Sequence, residues 1–586
     1  MRKKIFFLIL FFIIFEAIIF GLYFYFKTTY PAPVAKKLYL KSLPEKTEEV
    51  DLVSGVVPHH LAAKSLIANF FKNIAEQSSP ETIVLLGPDH FHSGNLNQKQ
   101  DLIMLSADTE KFLDIETDKS LLAELSQQKN IVQNTSLISL DHGITDLLPF
   151  IKSSLPQTKI LPIIIPFDFS LADFKPMIEK ISQGNEKIMV IASTDFSHYL
   201  PVQAADFHDI KSMRSLINFE ENNLPSLEVD CPLCLYGSRY YAKLKKQESY
   251  KIIGHKNSAD FLKADNTDQT TSYFSILFGK NLKNNEKGMG QTILFAGDIM
   301  LDRGVADLMK QNSVYYPFEK IMQFLVGTDL AVGNLEGPIV KNPENFGDHA
   351  MTFNFSPDIL PALKMAKFNL FNLANNHILN RGNDGLAETR EFLDQSKLNY
   401  FGDPLKCSDE FAYQKDNFLF LGFNKTFSSG CPNEDIIKAV KKAREKNSDK
   451  FLIVNLHWGT EYKTINSKSQ QDLAHQIIES GADLIIGHHP HVVQNIELYK
   501  NKLIFYSLGN FIFDQYFSKN VQQGLAVGLE LYSNKYICNL FPLTSKLSQP
   551  ALMPEEEKIK FLSDLAKNSA TNLESQIKSG KIEVNR

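Results

Sequence analysis

The chain has 586 residues, too many for one hydrophobic core, so two or more domains are expected. It is 44% hydrophobic and 22% charged, and a formal net charge of -5 with no long basic block excludes a nucleic-acid-binding role. Five cysteines are too few and too scattered to imply a disulfide framework. Cys231-Pro-Leu-Cys234 is a lone pair that no second pair completes into a zinc site of four cysteines.

In chain order, Arg2-Lys3-Lys4 precede the apolar run IFFLILFFIIFEAIIFGLYFYF, residues 5–26, interrupted only by Glu16. About 20 apolar residues span a bilayer as a helix, and basic residues ahead of such a run hold the N-terminus in the cytoplasm. This predicts a cytoplasmic stretch 1–4, a single-pass transmembrane anchor over 5–26, a cell-membrane location and an extracytoplasmic bulk. The alternative is a cleaved signal peptide. The run exceeds the usual apolar core of such a peptide, and no small-residue cleavage site follows it. Residues 27–50, with TTYPAP near their start, read as a tether.

Residues 51–280 alternate short apolar runs with helix-period segments, the pattern of an α/β domain. VSGVVPHH ends at His59-His60, TIVLLGPDH at His90, and KIMVIASTDFSH at Asp195 and His198. Asp141-His142 precedes a helical segment, and Cys231 lies in EVDCPLC. Three histidines after three separate apolar runs can converge on one metal with a carboxylate beside them. Taken singly, Pro58-His59-His60 and Pro88-Asp89-His90 are also plausible loop sequences.

Residues 281–289 are polar and bounded by glycine, and read as a linker that lacks the apolar residues to join two cores. The second α/β domain runs over 290–545. Its apolar runs end in groups able to bind a metal. These are Asp298 in TILFAGD, Asn334 and Glu336 in DLAVGNLE, Asn376 and His377 in FNLFNLANNH, His457 in KFLIVNLHWG, and His489 and His491 in ADLIIGHHPH. Ligands of open α/β sheets collect beyond the carboxyl ends of the strands, so these residues converge if the strands are neighbours. A mixed nitrogen and oxygen set suits Mn, Zn or Fe rather than calcium. Gly487 is expected to supply the turn into the histidines. Residues 546–586 read as an exposed helical tail without chemistry.

Gly297-Asp298, Gly333-Asn334-Leu335-Glu336, Asn375-Asn376-His377, His457-Trp458-Gly459, Gly487-His488-His489-Pro490-His491 and Tyr506-Ser507-Leu508-Gly509-Asn510-Phe511 together resemble the CapA family, associated with poly-γ-glutamate capsule synthesis. The resemblance implies a calcineurin-like metallophosphoesterase fold, a β-sandwich flanked by helices with a two-metal site. Asp298, Glu336, Asn376, His457, His489 and His491 match its metal ligands, and His377 matches the histidine that assists leaving-group protonation. Where the phosphoesterases have Asp-x-His, this chain has Asp298-Ile299-Met300. The first half resembles the Memo family, or AmmeMemoRadiSam system protein B, through PHH, LLGPDHF, DHG…LLPF, ILPIIIP and STDFSH. That resemblance implies an extradiol-dioxygenase-like α/β fold with Fe or Cu. His59, His90 and His198 match its metal histidines, and Asp195 and Cys231 match other site positions. A further histidine of its pattern falls at Leu147.

The expectation is thus a Memo-like domain fused to a CapA-like domain, acting in capsule or surface-polymer synthesis or export beside polyglutamate synthase components. A metal-dependent hydrolase or transferase centre would do the chemistry. Two alternatives stand beside it: a metal-binding scaffold of a capsule synthase without catalysis, and an iron or copper redox enzyme in the Memo-like half.

Overall fold

In the computed structural model, residues 51–586 are described apart from 92–103, 108, 129, 185–186, 262–267, 284–289, 348–350 and 427–429. The apolar run 5–26 and the tether 27–50 lie outside the described residues. The expected single-pass membrane location is corrected, because no helix among the described residues is long and apolar enough to cross a membrane.

The first unit is built on one sheet. Its central strands run parallel in the order Asp51–Val57, Ile188–Ser193, Thr82–Pro88 and Lys159–Ile165. All four are almost wholly buried, as strands covered on both faces must be. Because they are parallel, their carboxyl ends lie on one edge. His59, Asp195 and His90 follow three adjacent strands there.

The second unit is a two-sheet sandwich. One sheet runs Asn399–Phe401, Phe368–Asn372, Leu330–Leu335, Gln291–Ile299, Gln523–Leu531, Lys535–Lys546 and Gln549–Leu552. The other contains Phe418–Asn424, Phe451–His457, Leu484–His488 and Lys502–Phe505, paired in parallel. Side chains alternate between faces with a period of two. Ile293 and Phe295 meet Phe420, Ile453 and Ile486 of the other sheet in the central core. Leu294 and Ala296 turn to the helices of the outer layer. Strand ends from both sheets carry the histidines and carboxylates.

Two expectations of organisation change. The tail is part of the sandwich. Helix Glu555–Asn568 buries Leu562, Leu565 and Ala566 in the central core, and Lys581–Asn585 adds a strand antiparallel to Lys535–Lys546. The alternation Ile582, Val584 is a strand pattern only two apolar residues long, too short to distinguish from a tail in sequence. Nor are the two halves separately packed. Helix Val202–Ile217 of the first unit inserts Ala204, Ala205 and Phe207 into the outer-layer core of the second. Phe207 packs on Phe541 with ring centroids 5.6 Å apart. Arg214 makes two 2.6 Å hydrogen bonds to the Asp329 carboxylate, and Lys211 donates to the Thr328 carbonyl at 3.0 Å. Gly327 is required by this contact, since a Cβ there would overlap the His208 ring.

Phe207→Ala removes a buried ring from this shared core and is expected to cost about 3–5 kcal/mol. Urea denaturation should then show the two units melting separately. A variant as stable as the parent, with one unchanged transition, would contradict a shared core.

Candidate metal centres

Asp298 ends the strand Gln291–Ile299 and is fully buried. Its Oδ1 accepts from Asn334 Nδ2 at 2.9 Å, and its Oδ2 accepts from the His489 backbone N–H at 3.3 Å. His488 and His491 stand 3.3 and 3.4 Å from it. Burial alone would raise this carboxyl; the contacts with His488 and His491 outweigh it and hold the group well below the usual carboxylate range. Glu336, equally buried, goes the other way: burial and then the Asp298 charge push it well up. Burial would lower His491, but the Glu336 and Asp298 charges beside it push it up to about 9. Burial holds His457 well below the usual imidazole range and His489 at about 4.

These side chains form two neighbouring groups. Asp298, Glu336 and His457 are one, and Glu461, His489 and His491 are the other; within each group the ligand atoms lie within 4.8 Å of one another. Glu336 spans the gap, 3.7 Å from His491. Asn376 adjoins the first group through a 2.7 Å hydrogen bond between its Oδ1 and His457 Nε2. Asn334 braces the carboxylates, donating also toward Glu336, while its own Oδ1 accepts from Asn372 and Asn375. His377 sits beside the site with Nε2 4.0 Å from Glu336, stacked on Phe353 at 4.2 Å. The residues fit a divalent metal: Glu336 Oε1 is buried with no hydrogen-bond partner among the described residues, an orphan that a cation would satisfy.

Sequence reasoning located Asp298, Asn334, Glu336, Asn376, His457, His489, His491 and His377 at this edge but gave His488 no role and missed Glu461. Glu461 lies in the loop four residues beyond His457 rather than at the strand end itself, so strand-end logic did not reach it. Gly487 is not the turn. It lies within the strand Leu484–His488, where a Cβ would overlap the Tyr506 carbonyl oxygen. The chain turns instead at His489 and His491, with φ of 96° and 57°. Met300 is fully buried in the outer-layer core, and its sulfur accepts the Asp302 N–H at 3.1 Å.

The first unit has its own cluster. The ligand atoms of His59, His90 and His142 lie within 4.8 Å of one another, and His90 and His142 stack with centroids 4.0 Å apart. Asp141 orients His90, accepting from its backbone N–H at 3.0 Å and pairing with its Nδ1 at 2.8 Å. His59 Nε2 also faces Asp195 at 3.7 Å and Asp230 at 3.4 Å. Burial raises Asp195 to about 7, and burial with the Asp195 charge pushes Asp230 well up. His142 thus joins His59 and His90 in this group, while His198 stands near enough for its charge to be felt at His59. His198 opens a strand paired to Thr271, and burial lowers it to about 4. Cys231 offers no free thiol, being joined to Cys234 in a disulfide at the start of helix Pro232–Leu244; its neighbour Asp230 faces the cluster instead. A second disulfide, Cys407–Cys431, further corrects the reading of scattered cysteines. Leu147 is a core residue of the helical face.

The fold and its clusters define an α/β protein of two fused units, each with a group of histidines and carboxylates that can hold a metal ion. Residues 292–515 match the family described as bacterial capsule synthesis protein PGA_cap, and residues 30–276 match Memo-like protein. A capsule biosynthesis protein CapA of Bacillus anthracis is 31% identical over 326 residues, 52% of this chain and 78% of the relative. The PGA biosynthesis protein CapA of Bacillus subtilis (strain 168) is 32% identical over 241 residues, 38% of this chain and 63% of the relative. A MEMO1 family protein of Caldivirga maquilingensis is 24% identical over 242 residues, 39% of this chain and 84% of the relative. The chain belongs to the CapA family of capsule synthesis proteins and carries a Memo-like unit ahead of its CapA-like unit.

Gly487→Ala would drive a methyl group into the Tyr506 carbonyl beneath the histidine turn. A loss of about 1–3 kcal/mol is expected in urea denaturation, the usual cost of overpacking. Unchanged stability would show that the strand spacing there is not tight.

Proposed function

We propose that the chain acts in the synthesis of a poly-γ-glutamate-type capsule or related surface polymer, with the CapA-like unit providing a divalent-metal centre. The names of its Bacillus relatives support the process. The observation that carries the centre is the pair of adjoining ligand groups, Asp298, Glu336, His457 and Glu461, His489, His491, with an orphan Glu336 oxygen between them. Asp298, Glu336, Asn376, His457, His489 and His491 would hold the metal. Bound divalent cations there would supply Lewis-acid polarisation of a phosphoryl or acyl oxygen.

The remaining chemistry belongs to this chain's own side chains. Asn380 Oδ1 accepts from the Phe353 backbone N–H at 2.7 Å, which fixes the orientation of that amide. His377 Nδ1, 3.0 Å away, therefore donates to the same oxygen. This leaves Nε2 facing Glu336 as the atom that takes or returns a proton. Phe353 and the Asn380 bond hold the ring in place.

Element analysis of the purified chain, together with turnover of a generic phosphodiester in added Mn, tests this reading. Asp298→Ala is expected to lower the metal-to-protein ratio. His377→Ala should keep the ratio and lower turnover by roughly 10²–10⁴-fold, the usual size of a lost proton-transfer group. Equal ratios in parent and Asp298→Ala would remove the metal centre from the proposal. Absent turnover in a metal-loaded parent would favour a scaffold role.

A second reading has its own observation: His59, His90 and His142 with Asp195 and Asp230 form a site suited to iron or copper redox chemistry in the Memo-like unit. His142→Ala is expected to remove bound metal from that unit, whereas His198→Ala should retain it. Metal analysis against a parent control decides between the two histidines, and the reverse pattern would restore His198 as the ligand.

A further inference from the structure

Position 300 is where the phosphoesterase pattern places a histidine next to Asp298, and its methionine is spent on packing. A two-cation centre is then one protein ligand short. The geometry points to Glu461 as that ligand: it completes the second cation position with His489 and His491. The inference rests on the two-cation reading of this centre.

The loop that carries Glu461 is fastened to the loop that carries the two histidines. The Trp458 N–H donates to the His488 carbonyl at 3.1 Å, and the Tyr462 N–H donates to the Pro490 carbonyl at 2.8 Å. Glu461 lies between these two bonds, so its position is set by the backbone of its co-ligands. Gly459 allows the approach. Its φ is 90°, and Gln470, anchored to Ser467 and Gln494, fills the space where a Cβ would stand. Both histidines are nearly buried, and both sit in the left-handed region. Such backbone strain persists only where the surroundings over-determine it.

The site's electrostatics include Glu461 too. Its charge is felt at Glu336, in the neighbouring group, and at Tyr462. A carboxylate in place of an imidazole also changes the character of the position. Two histidines and one carboxylate form a harder donor set than three histidines and favour manganese or iron(II) over softer ions. Sequence motifs built on strand ends cannot reveal this ligand, because it arrives from the loop four residues beyond His457.

The test uses the full chain loaded with Mn²⁺ and dialysed, comparing parent, Glu461→Gln, Glu461→Asp and Asp298→Ala by element analysis and calorimetric titration. Metal held by the Memo-like unit is common to all four and cancels in the differences. Glu461→Gln, which keeps the shape and removes the charge, is expected to lose one equivalent or to bind it at least 10–100-fold more weakly, since even outer-shell partners of a metal cost that much. Glu461→Asp keeps the charge on a shorter arm and should fall between parent and Gln. The metal-free thermal midpoints of both should match the parent, because Glu461 is partly exposed in a loop. If both Glu461 variants fold and retain the parent's ratio and affinity while Asp298→Ala loses metal, Glu461 is not a ligand and the two-cation centre survives without it. If Asp298→Ala also retains full metal, the centre itself is refuted, and this inference with it.

Discussion

A buried carboxylate must find partners inside the protein, and Asp298 sets that demand for the second unit. It has no water-facing surface, and its partners come from separate segments: Asn334 from one strand end, and His488, His491 and the His489 N–H from another. The desolvation cost of such a charge is several kcal/mol unless it is well paired. The two sheets must therefore present their carboxyl edges to the same place. Strand order, the close approach of Gly487 to Tyr506 and the turn at His489 all serve that convergence. His377 and Asn376, at the end of a third strand, then fall beside the carboxylates without further arrangement.

Much of this was legible in the sequence because parallel strands give a simple signal: an apolar run, then a polar group at its carboxyl end. Asp298, Glu336, His457, His489, His59 and His90 were all found by that rule. The rule fails where a group arrives by another route. Glu461 sits in a loop, and His142 begins a short helix that the sheet does not organise. His198 obeyed the rule too, and although it is not one of the three histidines whose ligand atoms lie within 4.8 Å of one another, its charge is felt at His59. The disulfides escaped because Cys407 and Cys431 come together through tertiary folding that a spacing of 24 residues does not announce.

The helix Val202–Ile217 was illegible for a different reason. Its buried residues include His208, Asp209, Ser212 and Arg214 as well as alanine and phenylalanine. Read alone, those polar residues suggest a solvent-facing side. They are buried because their partners come from both units: Asp329 and the Phe324 carbonyl of the second for Arg214 and His208, and Glu220 and Glu228 of their own. Contacts of this kind have no periodicity of their own.

That helix also fixes what inheritance can do with the fusion. Two units joined only by a flexible polar stretch can be shuffled, lost or replaced one at a time. Here the first unit completes the apolar layer of the second and neutralises Asp329, which stands directly before the strand leading to Asn334 and Glu336. A descendant that dropped the Memo-like unit would inherit a CapA-like unit with an exposed patch and an acidic residue lacking its guanidinium partner at the root of the strand that leads to Asn334 and Glu336. Both would have to be repaired by new substitutions before the deletion could be tolerated, so the fusion is held together by its own packing.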